Sequence, residues 1–252
     1  MNMPAIRGFG IRFWLLLLLC LIPILGQTTP GDTALPAFSA QYKLTRNGFA
    51  IGETHASLQA RTDGTFLYEV RTDPSGILAW LTNARMQERT SWTMQGEELL
   101  PLQYAYQRVI GNRERSVRQT FDWKQGVVRA DIGGKSWEIT VPDGTLDKLL
   151  VQLALMLDLQ AQSRDLEYRI VDDGKLKTYR FRIIGHERIT TPMGTFDTLK
   201  VARIQESRER STVLWCAPEL RYLPVRIDQV EDGVNYSMSV RSVQGLGNPP
   251  VS

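Results

Sequence analysis

Two cysteines and two histidines among 252 residues leave little from which to build a disulfide framework, a metal centre or a thiol or imidazole catalyst. Cys20 lies in an apolar N-terminal run, so with that run set aside Cys216 stands alone and cannot close an intramolecular disulfide. Its setting, LWCAP, suits a small buried hydrophobe better than a nucleophile, which needs a base and an electropositive surround. His55 and His186 are far apart, each close to a glutamate (Glu53 and Glu187), and no HExxH-type spacing joins them. No metal site is therefore expected. GxSxG, P-loop and GxGxxG signatures are missing as well, so no catalytic residue and no cofactor is assigned. Asp172-Asp173-Gly174 starts like a calcium loop, but the ligand alternation stops there and a hairpin turn is the better reading.

An excess of charge of one sign is lacking too. Lys and Arg number 30 against 27 Asp and Glu, and the first 26 residues hold Arg7 and Arg12 but nothing acidic. Without them the balance is +1, which gives no electrostatic case for nucleic acid. Arg113-Glu114-Arg115 and Arg208-Glu209-Arg210 interleave opposite signs and read as solvated strand faces or turns. Beyond residue 26 no apolar run is long enough to span a bilayer, so no membrane span is expected after the N-terminal segment.

That segment reads as an export signal. Arg7 and Arg12 precede the apolar stretch Phe13–Ile22, Pro23 breaks it, and Gly26 offers a cleavage position before Gln27. The alternative is an anchor that keeps residues 11–25, although a spanning helix needs about 20 apolar residues. Lipidation at Cys20 is rejected, because Leu19 precedes it where a small residue is required. The expected organisation is a signal peptide (or N-terminal anchor) at 1–26, a flexible leader at 27–36, one β-rich domain at 37–246 and a C-terminal tail at 247–252. The 226 residues after the signal suffice for one buried core without disulfides.

What is present is period two. Phe38, Ala40, Tyr42 and Leu44 alternate with Ser39, Gln41, Lys43 and Thr45, and Asn47-Gly48 then supplies a strong hairpin signal. Similar runs are punctuated by Thr62-Asp63-Gly64, Gly111-Asn112, Lys124-Gln125-Gly126, Gly133-Gly134, Pro192-Met193-Gly194 and Glu231-Asp232-Gly233. Such spacing predicts a large antiparallel meander, built as a curved sheet or an open β-barrel, and connections this short exclude a parallel βαβ layout. One segment breaks the period. Leu146, Leu149, Leu150, Leu153 and Leu157 follow helical spacing, which predicts an apolar helix over about residues 145–161, capped by Asp143 or Thr145. It has too few polar residues for a surface helix and belongs against or inside the curved sheet.

Three stretches carry a resemblance. QYKLTRNGFAIGE opens the domain, TPMGTFDTLKV forms a hairpin near residues 191–201, and LWCAPELRYLPVRI fills 214–227. Together they resemble the domain-of-unknown-function family 3108 (DUF3108), exported β-rich proteins of Gram-negative bacteria. The resemblance covers about residues 37–245. It implies a periplasmic location and an antiparallel β architecture, and it brings no catalytic residues. A tethered domain facing the periplasm is the alternative if residues 11–25 stay in the inner membrane. By looser fold analogy, a curved sheet around a helix is similar to periplasmic lipoprotein carriers.

The functional expectation is non-enzymatic: binding or escort, in the periplasm, of a lipid or other apolar or envelope-derived ligand, or of a secreted protein, with Leu146, Leu149, Leu150, Leu153 and Leu157 lining the site together with nearby aromatics. The alternative is an envelope assembly module that meets a membrane or secretion partner through a sheet edge or an exposed patch. A third reading is a hydrolase of unrecognised type, which would need two carboxylates facing each other across a cleft.

Overall fold

The computed structural model describes residues 35–75, 84–204 and 210–247. The expected signal, most of the leader, most of the tail, and Arg208 with Glu209 lie outside them. Among the described residues, fifteen strands form one sheet. The first eight are β1 (Phe38–Arg46), β2 (Phe49–Ala60), β3 (Phe66–Pro74), β4 (Arg85–Gln95), β5 (Glu98–Ile110), β6 (Arg113–Asp122), β7 (Val127–Ile132) and β8 (Lys135–Thr140). A two-residue strand β9 (Leu146–Asp147) and the helix α1 (Leu150–Gln160) follow. The chain then continues through β10 (Glu167–Asp172), β11 (Lys175–Thr191), β12 (Gly194–Ile204), β13 (Arg210–Ala217), β14 (Leu223–Glu231) and β15 (Val234–Gln244).

The order across the sheet is β8 down to β1, then β15 down to β9. Two meanders therefore meet where β1 pairs antiparallel with β15. The sheet is curved and does not close by a hydrogen-bonded ladder, since β8 and β9 remain its two edges. Turn chemistry follows the sequence: Asn47 and Gly48 (φ 48° and 84°), and Asp232 and Gly233 (φ 51° and 76°), take the left-handed backbone that tight hairpins need.

Two expectations need correcting. The helix begins at Leu150 rather than near residue 145, with Leu149 at the N-cap position; the side chain of Asp147, just upstream, holds this start, its Oδ1 accepting from the amides of Leu149 and Leu150, 2.8 Å each. Thr145 instead donates to the carbonyl of Pro142, and Leu146 lies in β9. The exclusion of a βαβ unit also fails at one place, since β9 and β10 pair in parallel and α1 makes the crossover between them. The Leu-rich run supplies the crossover length that the hairpins elsewhere lack.

Burial explains the helix's composition. Leu150, Leu153, Leu155 and Met156 are fully buried, and they pack in one cluster with Tyr42, Leu58, Tyr68, Phe196, Val201 and Leu223 from the curved sheet. Cys216 belongs to the same cluster and is free. No helix among the described residues is long and apolar enough to cross a membrane.

Candidate functional site

Leu146, Leu149, Leu150 and Leu153 are buried in the core cluster, and Leu157 packs against it half-buried. The structure thus brings these five residues together as core filling. None of the five lines the surface clefts beside β5, β6 and β11 described below. His55 on β2 and His186 on β11 stay apart, and no cluster of three or more metal-ligating side chains occurs among the described residues.

The polar side chains that do converge lie at the seam where β9 and β10 approach the inner face of β4–β6. Glu88, Thr90, Tyr104 and Gln119 all point inward and are buried. The carboxylate of Glu88 accepts from the Tyr104 hydroxyl (2.7 Å) and pairs with the Lys148 ammonium (2.9 Å). Thr90 donates to Asp147 Oδ2 at 2.6 Å, so one carboxylate ties β4 to the start of α1. Gln119 Nε2 donates to the Val171 carbonyl, which joins β6 to β10. Its Oε1 has no hydrogen-bond partner. Further out, Arg115 bridges to Asp173 at 2.6 Å, and Lys177 and Tyr179 both donate to Asp172 Oδ2. A cleft of about 110 Å³ between these groups is lined by Tyr104, Tyr106, Arg115, Gln119, Lys148 and Asp172.

Burial sets the protonation chemistry. It pushes the Asp147 carboxyl up to about 6, against the pull of its hydrogen bonds from Thr90 and the two amides, with the Glu88 charge adding a smaller upward push. Burial raises Asp172 too, but Lys177, Tyr179 and Lys148 outweigh it and hold that pKa below the usual range. Burial opposes the Lys148 ammonium, yet the Glu88 carboxylate prevails and its pKa is raised. Burial alone lifts the Cys216 thiol to about 12. The two inner carboxylates are thus held by donors on β4, β5 and α1 rather than presented to solvent. The arrangement suits a clamp that closes the seam with side chains where the ladder is missing.

A different feature is open to other molecules. β10 ends its pairing with β11 at Glu167 and Arg180, yet β11 continues eleven residues further, to Thr191. The Phe181 amide makes one last bond to the Leu166 carbonyl, 2.9 Å. By two-residue alternation the N–H and C=O of Ile183 face the same side, where no described strand pairs with them. A bulge at Ile184 then offsets β11 against β12. Ile183, Ile184 and Ile204 are 39%, 50% and 47% exposed, high for isoleucine. A cleft of about 440 Å³ at this point is lined by Arg164, Leu166, Phe181, Arg182, Ile183 and Ile204.

Glu88, Tyr104 and Gln119 are not among the site residues expected from the sequence. The signal was there: Glu88 shares a face with Met86, Thr90 and Trp92 in a strand whose alternation puts that face in the core. A charged residue at an inward position is the cue.

The profile of the family described as "Protein of unknown function (DUF3108)" matches residues 38–239. No curated protein matches the chain. Among solved structures, the chain is similar to a β-barrel-like protein of the domain of unknown function DUF1849 from Brucella abortus. That similarity has a TM-score of 0.54 at 8% identity and covers 83% of this chain and 98% of the other. At that identity the likeness is one of fold.

Proposed function

We propose, from the premise that this chain belongs to the DUF3108 family of proteins of unknown function, that it is a non-catalytic binding module of the cell envelope. Exported by residues 1–26, it acts in the periplasm, free or tethered through residues 11–25. Its β11 edge takes up an extended segment of an envelope protein as an added strand. The observation that supports this most is the stretch of β11 beyond Arg180, paired with β12 on one side but with no described strand on its β10 side, and flanked by three exposed isoleucines. Main-chain hydrogen bonds would supply affinity, and alternate apolar side chains of the segment would enter the cleft beside Phe181 and Ile204. Arg164 and Arg182 stand exposed at its rim beside Asp165 and the Arg180–Glu167 pair, so the rim carries charge of both signs with a small positive excess.

Escort of a lipid is less well supported, because the leucines proposed to line that site are packed by the sheet, and an acyl chain would have to displace them. Photo-crosslinking in the producing cell separates the two readings. A photoreactive residue at 182 or 184 is expected to give one discrete protein adduct, and the same residue at Ser57, outward on β2, none. Adducts to lipid alone, or equal labelling at Ser57, would contradict the proposal.

A further inference from the structure

We propose that the outer face of β3–β6 is a binding site for a phosphate-bearing ligand, centred over Ala105 and built by Arg61, Arg89 and Arg118. This face is separated from β11 by several strands and does not depend on the edge described above.

The register places the three positions. Glu69 on β3 lies opposite Arg89 on β4, Arg89 opposite Ala105 on β5, Ala105 opposite Arg118 on β6, and Arg118 opposite Asp131 on β7. Arg89 and Arg118 therefore flank the small side chain of Ala105, their backbones two strand spacings, about 10 Å, apart. Arg61 joins them on the same cleft, which measures about 390 Å³ and is also lined by Ser91, Gln103 and Thr120.

The behaviour of the opposite charges sets this place apart. Of the eight places where the described strands put a basic and an acidic residue directly across from each other, four bridge: Arg129–Glu138, Arg180–Glu167, Arg188–Asp197 and Arg210–Glu231. Lys43 and Lys175 miss their facing carboxylates because Glu53 is taken by Arg241 and Asp172 by Lys177. Arg89 and Arg118 are the remaining facing cases, and neither bridges to Glu69 or Asp131. Both instead line the cleft across Ala105. Two arginines that line one cleft and bridge to neither facing carboxylate (Asp131 Oδ1 accepts from the Gly134 amide instead) fit a ligand that brings its own negative charge. Guanidinium forks match the tetrahedral oxygens of phosphate with paired hydrogen bonds. Ser91, Gln103 and Thr120 add donors and acceptors for hydroxyls on whatever carries the phosphate, and the cleft has room for a glycerol-sized group. That chemistry is shared by a soluble phosphorylated metabolite and a phospholipid headgroup.

Titration calorimetry on the full chain tests this with three probes: inorganic phosphate, glycerol 3-phosphate, and vesicles of phosphatidylcholine with or without phosphatidylglycerol. Saturable binding to at least one anionic probe is expected, at least tenfold weaker in the Arg89→Ala/Arg118→Ala double variant. Ala105→Glu, which places a carboxylate between the arginines, is expected to abolish binding while circular dichroism stays native. Arg169→Ala, on β10, should leave affinity unchanged. Binding of the soluble probes identifies a soluble ligand, and binding only to vesicles with phosphatidylglycerol identifies a headgroup. Absence of binding to every anionic probe, undiminished affinity in the double variant, or an equal loss in Arg169→Ala would overturn the proposal.

Discussion

Neutralising Asp147 without changing its shape isolates the electrostatic cost of the seam. In the folded chain Asp147 is fully buried, its Oδ1 holds two helix amides, and its Oδ2 accepts from Thr90. Burial lifts its pKa from 3.8 to about 6. Between these values the folded state holds a proton that the unfolded chain has released. Stability from this group is therefore greatest below about pH 4 and declines as pH rises to about 6. A shift of roughly two pKa units corresponds to about 3 kcal/mol across that window. Asp172 has the opposite sign, because its pKa is depressed and its contribution is lost only as pH falls through the lower range. Asp147→Asn keeps the Oδ1 acceptor and can donate to the Thr90 hydroxyl, so it loses chiefly the titration. Urea unfolding followed by tryptophan fluorescence, at pH 4 and at pH 7.5, measures the difference between variant and parent. The variant should gain about 3 kcal/mol on the parent between the two pH values. A difference that does not change with pH, or that moves the other way, would refute the reasoning.

Three further outcomes follow from burial and backbone geometry. Leu153→Ala empties a fully buried position on α1 and should cost about 2–5 kcal/mol in the same assay. Cys216, buried and with its thiol pKa at about 12, should resist a thiol reagent in the native protein and react at once in denaturant. Gly245 has φ of 85° and its added Cβ would strike the Ala37 carbonyl, so Gly245→Ala should lower the melting temperature. Gly48→Ala, at a turn with open space around it, should lower it less.

The legible part of this fold is its alternation. Phe38, Ala40 and Tyr42 face inward on β1 as period two requires, and the Gly- and Asn-containing turns fall where the hairpins turn. The helix was legible in type but not in start, since its first amides are held by a buried aspartate, Asp147, that is itself bound from another strand, by Thr90 on β4. The parallel β9–β10 pair was hidden because two residues give no periodic signal. The seam was hidden for a related reason: Glu88 meets Lys148, and Gln119 meets Val171, only after the sheet has curved. The open edge of β11 follows from the difference in length between β10 and β11, which alternation within either strand does not report.

Hydrogen exchange at β11, read before and after addition of the partner identified by crosslinking, tests the central claim most directly. In the free chain the Ile183 amide should exchange fast while amides bonded to β12 are protected, and the partner should slow Ile183. An Ile183 amide already protected in the free chain, or unchanged in the complex, would contradict strand addition at this edge.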